Sequence, residues 1–261
     1  MRNIKPDITA TNIVTRHFRI IRIACHTLLG VILATIALPL ANKQHKAKLI
    51  QWWCKHLLAA FNLRVISYGN IPEPNTQLNN AMFVANHVSW TDIHALNSIV
   101  ALRFIAKSEI RHWPIFGYLV SRANTLFIDR SKKKDAKRTI DVALKSLQDG
   151  DTLCLFPEGT TTDGTLIQPF KSSLLQAAIE AQSTIWPVAI HYPHPNGGAN
   201  VDAAYAGETT LVESMQKILS QKRPVIELHF LTPITADHTA RQDRRTLTLH
   251  VESLIRSKLS L

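Results

Sequence analysis

The chain has 261 residues, 46% hydrophobic and 19% charged, enough for one large core, which excludes a disordered tail and a polytopic membrane protein alike. Its three cysteines (Cys25, Cys54, Cys154) lie far apart with no Cys-x-x-Cys pair, which argues against a disulfide framework or zinc ribbon and fits a reducing, cytosolic-side setting. The net charge of +11 is uneven: residues 1–67 hold ten Lys or Arg against one acid, Asp7, while the other 194 residues carry only +2, so the basic excess points to an anionic membrane surface.

In chain order, Ile23 to Asn42 comes first, twenty residues without a formal charge and flanked by Arg16, Arg19, Arg22 and by Lys43, Lys46, Lys48. About 20 apolar residues suffice to cross a bilayer. Basic flanks on both sides suit a hairpin with both ends on one face, or a helix lying in the interface. The late start and the lack of a small-x-small exit speak against a cleaved signal peptide. From Lys48 to Phe61, apolar Leu49, Trp53, Leu57 and Phe61 recur every four residues, an amphipathic helix bearing Trp52 and Trp53. Residues 1–62 therefore read as a two-helix membrane-docking element, with both helices simply covering the core as the competing reading.

From residue 63 to 261 short β-rich runs alternate with helical stretches, the pattern of a single α/β domain with a mixed β-sheet flanked by helices. Predicted strands are 64–68, 82–85, 103–106, 125–128, 152–156, 186–191 and 225–231. Predicted helices are 92–100, 134–149, 172–181, 211–219 and 237–258, and the Pro-rich runs 72–75 and 193–198 are loops. No internal repeat or low-complexity linker interrupts the domain.

Two polar runs follow predicted strands: Asn86-His87-Val88-Ser89-Trp90-Thr91-Asp92 and Phe156-Pro157-Glu158-Gly159-Thr160. Strand ends in an α/β sheet are where ligands collect. His87 and Asp92 would sit about 500° apart on one helix, so they can meet only with His87 in the loop and Asp92 in the first helical turn. Paired in that way, the carboxylate fixes one imidazole tautomer and leaves the other ring nitrogen free to take a proton. A surface His beside a helix-starting Asp is the plainer alternative for this pair alone. His94, on the same predicted helix, reads as helix surface. The Gly-bearing turn lets backbone N–H groups approach a ligand, and Phe127-Ile128-Asp129-Arg130 ends another strand on an Asp-Arg pair.

Together these runs resemble the glycerolipid acyltransferase family, the lysophosphatidate acyltransferases and their relatives. The family's His-x4-Asp block resembles His87 to Asp92, its Phe-Ile-Asp-Arg block Phe127 to Arg130, its Phe-Pro-Glu-Gly-Thr block Phe156 to Thr160, and its proline block Pro187-Val188. Ala106-Lys107-Ser108-Glu109 and Trp113-Pro114-Ile115-Phe116-Gly117 are similar to family segments too. The resemblance implies an O-acyltransferase that moves a fatty acyl group from acyl carrier protein or coenzyme A thioesters to a lyso-lipid hydroxyl, with no cofactor and no covalent acyl-enzyme. His87 would be the base and Asp92 its orienting group. Lys107 and Arg130 would hold the acceptor head group, and Glu158, Gly159 and Thr160 would shape its site. Membrane location follows, at the cytoplasmic face of the inner membrane.

One departure bears on the acceptor. In lysophosphatidate-using members Arg usually follows the Glu-Gly-Thr block; here Thr161 does, which resembles members acting on lyso-ornithine lipid or other lyso-lipids. Lys171 is a candidate replacement for that charge. Lysophosphatidate leads and lyso-ornithine lipid follows. The basic run 130–138 is a solvated helix start or a surface for an acidic acyl carrier protein. Two rivals are weaker. A metal hydrolase would need His87, Asp92, His191 and His194, whose spacing suits no helical ligand pair. A binding protein without chemistry leaves the polar strand ends unexplained.

Overall fold

The computed structural model describes residues 5–73, 78–123, 125–128 and 133–261, with the side chains of Lys107 and of residues 133–136 outside that description. The chain opens with β1 (Asp7–Ala10), then α1 (Ile13–Ile32), a π-helical turn (Leu33–Ala37), α2 (Leu38–Leu40) and α3 (Lys43–Ala60). The chain continues as β2 (Arg64–Gly69), β3 (Ala81–Ala85), α4 (Thr91–Ile99), β4 (Arg103–Lys107), α5 (Phe116–Arg122), β5 (Leu126–Ile128), α6 (Lys133–Gln148), β6 (Thr152–Leu155), α7 (Leu175–Glu180) and β7 (Thr184–His191). It ends with α8 (Leu211–Ser220), β8 (Gln221–Arg223), β9 (Val225–Phe230), α9 (Ala236–Ala240) and α10 (Arg244–Leu259).

All seven expected strands enter one sheet, in the order β2-β9-β7-β3-β6-β4-β5. Five strands run parallel, and β9 and β2 run against them through the antiparallel β7–β9 pair, Ala189 facing His229. The fold is therefore a mixed α/β sheet covered on both faces. β3 lies at its centre, and all five of its residues are buried, as a run of apolar residues with no polar alternation requires. Phe83, Ala85, Val188, Ile190 and Phe230 pack with Leu57, Phe61 and Leu96 on one face. Met82, Val84, Leu155 and Ile185 pack with Leu147, Leu175 and Val251 on the other.

The N-terminal hairpin departs from its expected boundaries. Helix continues through Pro39 and breaks only at extended Ala41, where Asn42 accepts the N–H of His45 and starts α3. Proline has no N–H and its ring crowds the carbonyl four residues back, and the π-helical turn just before it is the local widening that accommodates this. The two helices divide their apolar residues differently. α3 turns Cys54, Leu57 and Leu58 into the core against α4. α1 buries a narrow stripe (Arg19, Ile23, Gly30) and leaves Val14, Phe18, Ile21 and Leu28 each at least 60% exposed. Residues 13–40 form the one described helical stretch long and apolar enough to cross a membrane.

Three features had no clear sequence signal. β1 pairs with β8 in a small separate sheet, α5 follows the Trp-Pro-Ile run, and the expected helix 237–258 is two helices. The break falls where Asp243 caps α10 by accepting the N–H groups of Arg245 and Thr246, a competing helix start that apolar periodicity does not register.

Candidate active site

The C-terminal ends of β3, β6 and β7 deliver the site. His87 sits in the loop after β3, and Asp92 is the second residue of α4. Asp92 is fully buried, and its Oδ2 accepts from His87 Nδ1 at 2.8 Å and from the backbone N–H groups of Val88 and Ser89 at 2.7 and 2.9 Å. Its Oδ1 accepts from the Tyr192 hydroxyl at 2.5 Å. A buried carboxylate at a helix start with four donors is satisfied rather than strained. Burial and the neighbouring Asp92 charge push the Tyr192 phenol well above its usual range, so it remains a donor. Thr91 Oγ lies 2.6 Å from the Tyr192 oxygen and completes the chain as its donor.

This arrangement fixes the imidazole. With Nδ1–H donated to Asp92, Nε2 is left to accept a proton. The Phe156 ring stacks on His87 at 3.9 Å between centroids and 8° between planes, which holds the ring orientation. The backbone is held as well. Glu158 Oε1 accepts the His87 N–H at 2.7 Å, and its Oε2 accepts that of Gln168 at 2.8 Å. Thr162 N–H donates to the His87 carbonyl at 2.9 Å, and Asn86 exchanges two hydrogen bonds with the Ile190 backbone on β7. Glu158 is 2% exposed, and burial raises its carboxyl to about 7 against the opposing pull of the Gln168 and His87 amides.

The two motif runs thus meet: the buried carboxylate of the second carries the backbone of the first. Gly159 has φ 72°, and its N–H closes the turn on the Phe156 carbonyl. Thr160 and Lys171 are exposed, and the Lys171 N–H ties its loop to the Pro157 carbonyl. The Thr161 hydroxyl donates to the Tyr205 carbonyl. α10 braces the same loop, with Glu252 accepting the Phe170 N–H and Arg256 donating to the Ile167 carbonyl. Lys107 ends β4, its side chain outside the description, and Asp129 and Arg130 lie outside the described residues. Asn86, Phe156 and Tyr192 were not expected as site residues. The first two stand inside the quoted motifs, but Tyr192 lies a hundred residues from Asp92 and carries no local signal.

An apolar cavity of about 230 Å³ has His87 in its wall and extends between α1, α3, α4 and α5, lined by Leu33, Trp53, Ile93, Phe104 and Val120 among others. His94 belongs to this wall, not to a helix surface as expected: α4 packs on α3, bringing His94 Nδ1 to 3.6 Å from Cys54 Sγ. Burial lowers its imidazole to about 4, so it is neutral there. Among the described residues no cluster of three His, Cys, Asp or Glu side chains is placed to hold a metal ion. His191 lies beside Glu227 and His229, and His194 accepts the Asn196 N–H.

The chain belongs to the acyltransferase family, whose sequence model matches residues 63–191, and the buried acid–histidine pair at the strand ends lies within that span. Among its relatives, the lyso-ornithine lipid O-acyltransferase of Pseudomonas aeruginosa is 33% identical over 82% of this chain and 79% of that protein. The 1-acyl-sn-glycerol-3-phosphate acyltransferase of Neisseria gonorrhoeae is 34% identical over 69% of each. The crystal structure of the 1-acyl-sn-glycerophosphate acyltransferase of Thermotoga maritima has the same fold, with TM-score 0.64, 22% identity and 93% of this chain covered.

Proposed function

We propose that this acyltransferase esterifies the free hydroxyl of a lyso-lipid, with 1-acyl-sn-glycerol-3-phosphate as the leading acceptor and an acyl carrier protein or coenzyme A thioester as donor. The observation that carries the reading is His87, oriented by buried Asp92 and standing in the wall of an apolar cavity. The acceptor hydroxyl gives its proton to His87 Nε2 as its oxygen attacks the thioester carbonyl. The carbon–sulfur bond then breaks, and the proton passes from His87 to the departing thiolate. A thioester is already activated, so a positioned base and proximity supply most of the rate, and no nucleophilic side chain or cofactor is called for. The acyl chain would lie in the cavity. Lys107, Arg130 and Lys171 would meet the acceptor's head group, and Glu158 acts through the His87 backbone.

Membrane docking belongs to the same reading. The exposed apolar side of α1, flanked by Arg16 and Arg22, suits the face of a bilayer that holds acceptor and product, at the cytoplasmic side of the inner membrane. Lyso-ornithine lipid is the second acceptor. It is favoured by Thr161, which stands where a phosphate-binding Arg would be expected and spends its hydroxyl on the Tyr205 carbonyl.

Offering membranes that contain the protein a labelled acyl donor with either lyso-lipid decides between them. Turnover of lysophosphatidate supports the leading acceptor, whereas turnover of lyso-ornithine lipid alone replaces it. With lysophosphatidate, Lys171→Ala should raise the acceptor KM several-fold and leave the donor KM unchanged; an equal effect on both removes Lys171 from the head-group site.

A further inference from the structure

The exposed tip of the Trp113–Gly117 segment is explained neither by the His87–Asp92 geometry nor by the core. Residues 111–115, Arg-His-Trp-Pro-Ile, are five consecutive exposed positions, with Trp113 37% and Ile115 54% exposed. Large apolar side chains held out beside basic ones are what a membrane–water interface favours. The segment is built to stay out. Ile115 has φ 62° and ψ −55°, a conformation costly for a β-branched residue, by roughly 1–3 kcal/mol. Around it the Trp113 N–H donates to the Ile110 carbonyl, and the Gly117 N–H to the Trp113 carbonyl. Gly117 is needed for that closure, because a Cβ there would come within 2.2 Å of the Arg111 carbonyl oxygen.

The segment also joins the apolar side of α1. The Tyr118 hydroxyl is 2.8 Å from Thr35 Oγ on the π-helical turn, so the exposed Ile32 and Ile36 of the N-terminal helix lie in a stretch that contacts α5. Arg111 and Arg122 add positive charge against a single exposed acid, Glu109. Trp113 and Phe116 line the acyl cavity from the inside.

We propose that Arg111–Phe116 is a second membrane-contacting element, a wedge that enters an anionic lipid surface beside α1 and sets the cavity wall against the bilayer. The inference rests on the membrane-docking reading above and extends it to a segment far from the N-terminus. It gives the acyl cavity a wall shared with the lipid phase.

The full chain tests it, in a Cys25→Ser background where the remaining thiols, Cys54 and Cys154, are buried. An environment-sensitive fluorophore is attached at Ile115→Cys, at Ile21→Cys on α1, or at Asp237→Cys on the opposite layer. Vesicles of phosphatidylethanolamine and phosphatidylglycerol carry nitroxides on their acyl chains. Several-fold quenching at 115 and 21 but not at 237 is expected, with Ile115→Asp lowering vesicle partitioning several-fold. Quenching at 21 alone overturns the wedge and leaves α1 docking intact. Quenching at none of the three overturns both, and quenching at all three, meaning unspecific adsorption, overturns the wedge. Quenching at 115 alone removes α1 from the interface and overturns the placement of the wedge beside it.

Discussion

Asp92 takes four hydrogen bonds without exposure to water, and the one from Tyr192 comes from the residue after β7 rather than from its own loop. Removing that hydroxyl leaves Oδ1 buried and short of a donor. A hydrogen bond to a charged group contributes about 1.5–3 kcal/mol, so Tyr192→Phe should lower kcat about tenfold, with both KM values held. Glu158 gives a prediction of different form. Its folded carboxyl is raised to about 7 from the usual 4.5, so between those values the folded state binds more protons than the unfolded chain. Stability from this group is present at acid pH and is lost as pH rises towards 7. Melting temperatures of the wild type should fall over that window relative to Glu158→Gln, whose profile is flatter. A parallel pair of profiles would contradict the assignment.

Elements differ in how plainly they are written in the chain. The seven sheet strands were legible because each is a short β-rich run between turn signals, whereas spacing only allowed His87 and Asp92 to meet across a loop-to-helix junction, and the family resemblance was what favoured the pair over a surface His. What stayed hidden depends on partners distant in sequence. β1 exists only through pairing with β8, and His94 is a cavity residue only because α3 lies against α4. Arg19 is the clearest case. It reads as one of three basic flanks, yet it is buried and donates to the carbonyls of Leu219, Gln221 and Lys222 at the end of α8. A cation at a helix C-terminus is favourable, and the planar guanidinium reaches carbonyls that an ammonium cannot span. Arg19→Lys should therefore destabilise the protein by about 1–3 kcal/mol and speed proteolysis near β1; an unchanged cleavage rate would refute the anchor.

At the scale of the molecule, the sequence divides naturally at residue 62, but the packing crosses that line. Ile23, Leu57, Leu58 and Phe61 belong to the same buried cluster as Phe83, Leu96 and Phe230. Deleting residues 1–62 should yield aggregated material, and a soluble, fully active remnant would show the hairpin to be dispensable. The hairpin also supplies one wall of the cavity whose other side holds His87, so the element proposed to face lipid and the element proposed to do the chemistry share one cavity. The most direct test of that account is transfer of a labelled acyl group from its thioester to lysophosphatidate and to lyso-ornithine lipid, by membranes holding wild type or His87→Ala. A loss of about 10³-fold in His87→Ala, with protein level and membrane content unchanged, is the predicted result. Transfer that survives the substitution would contradict the assignment of His87 as the base.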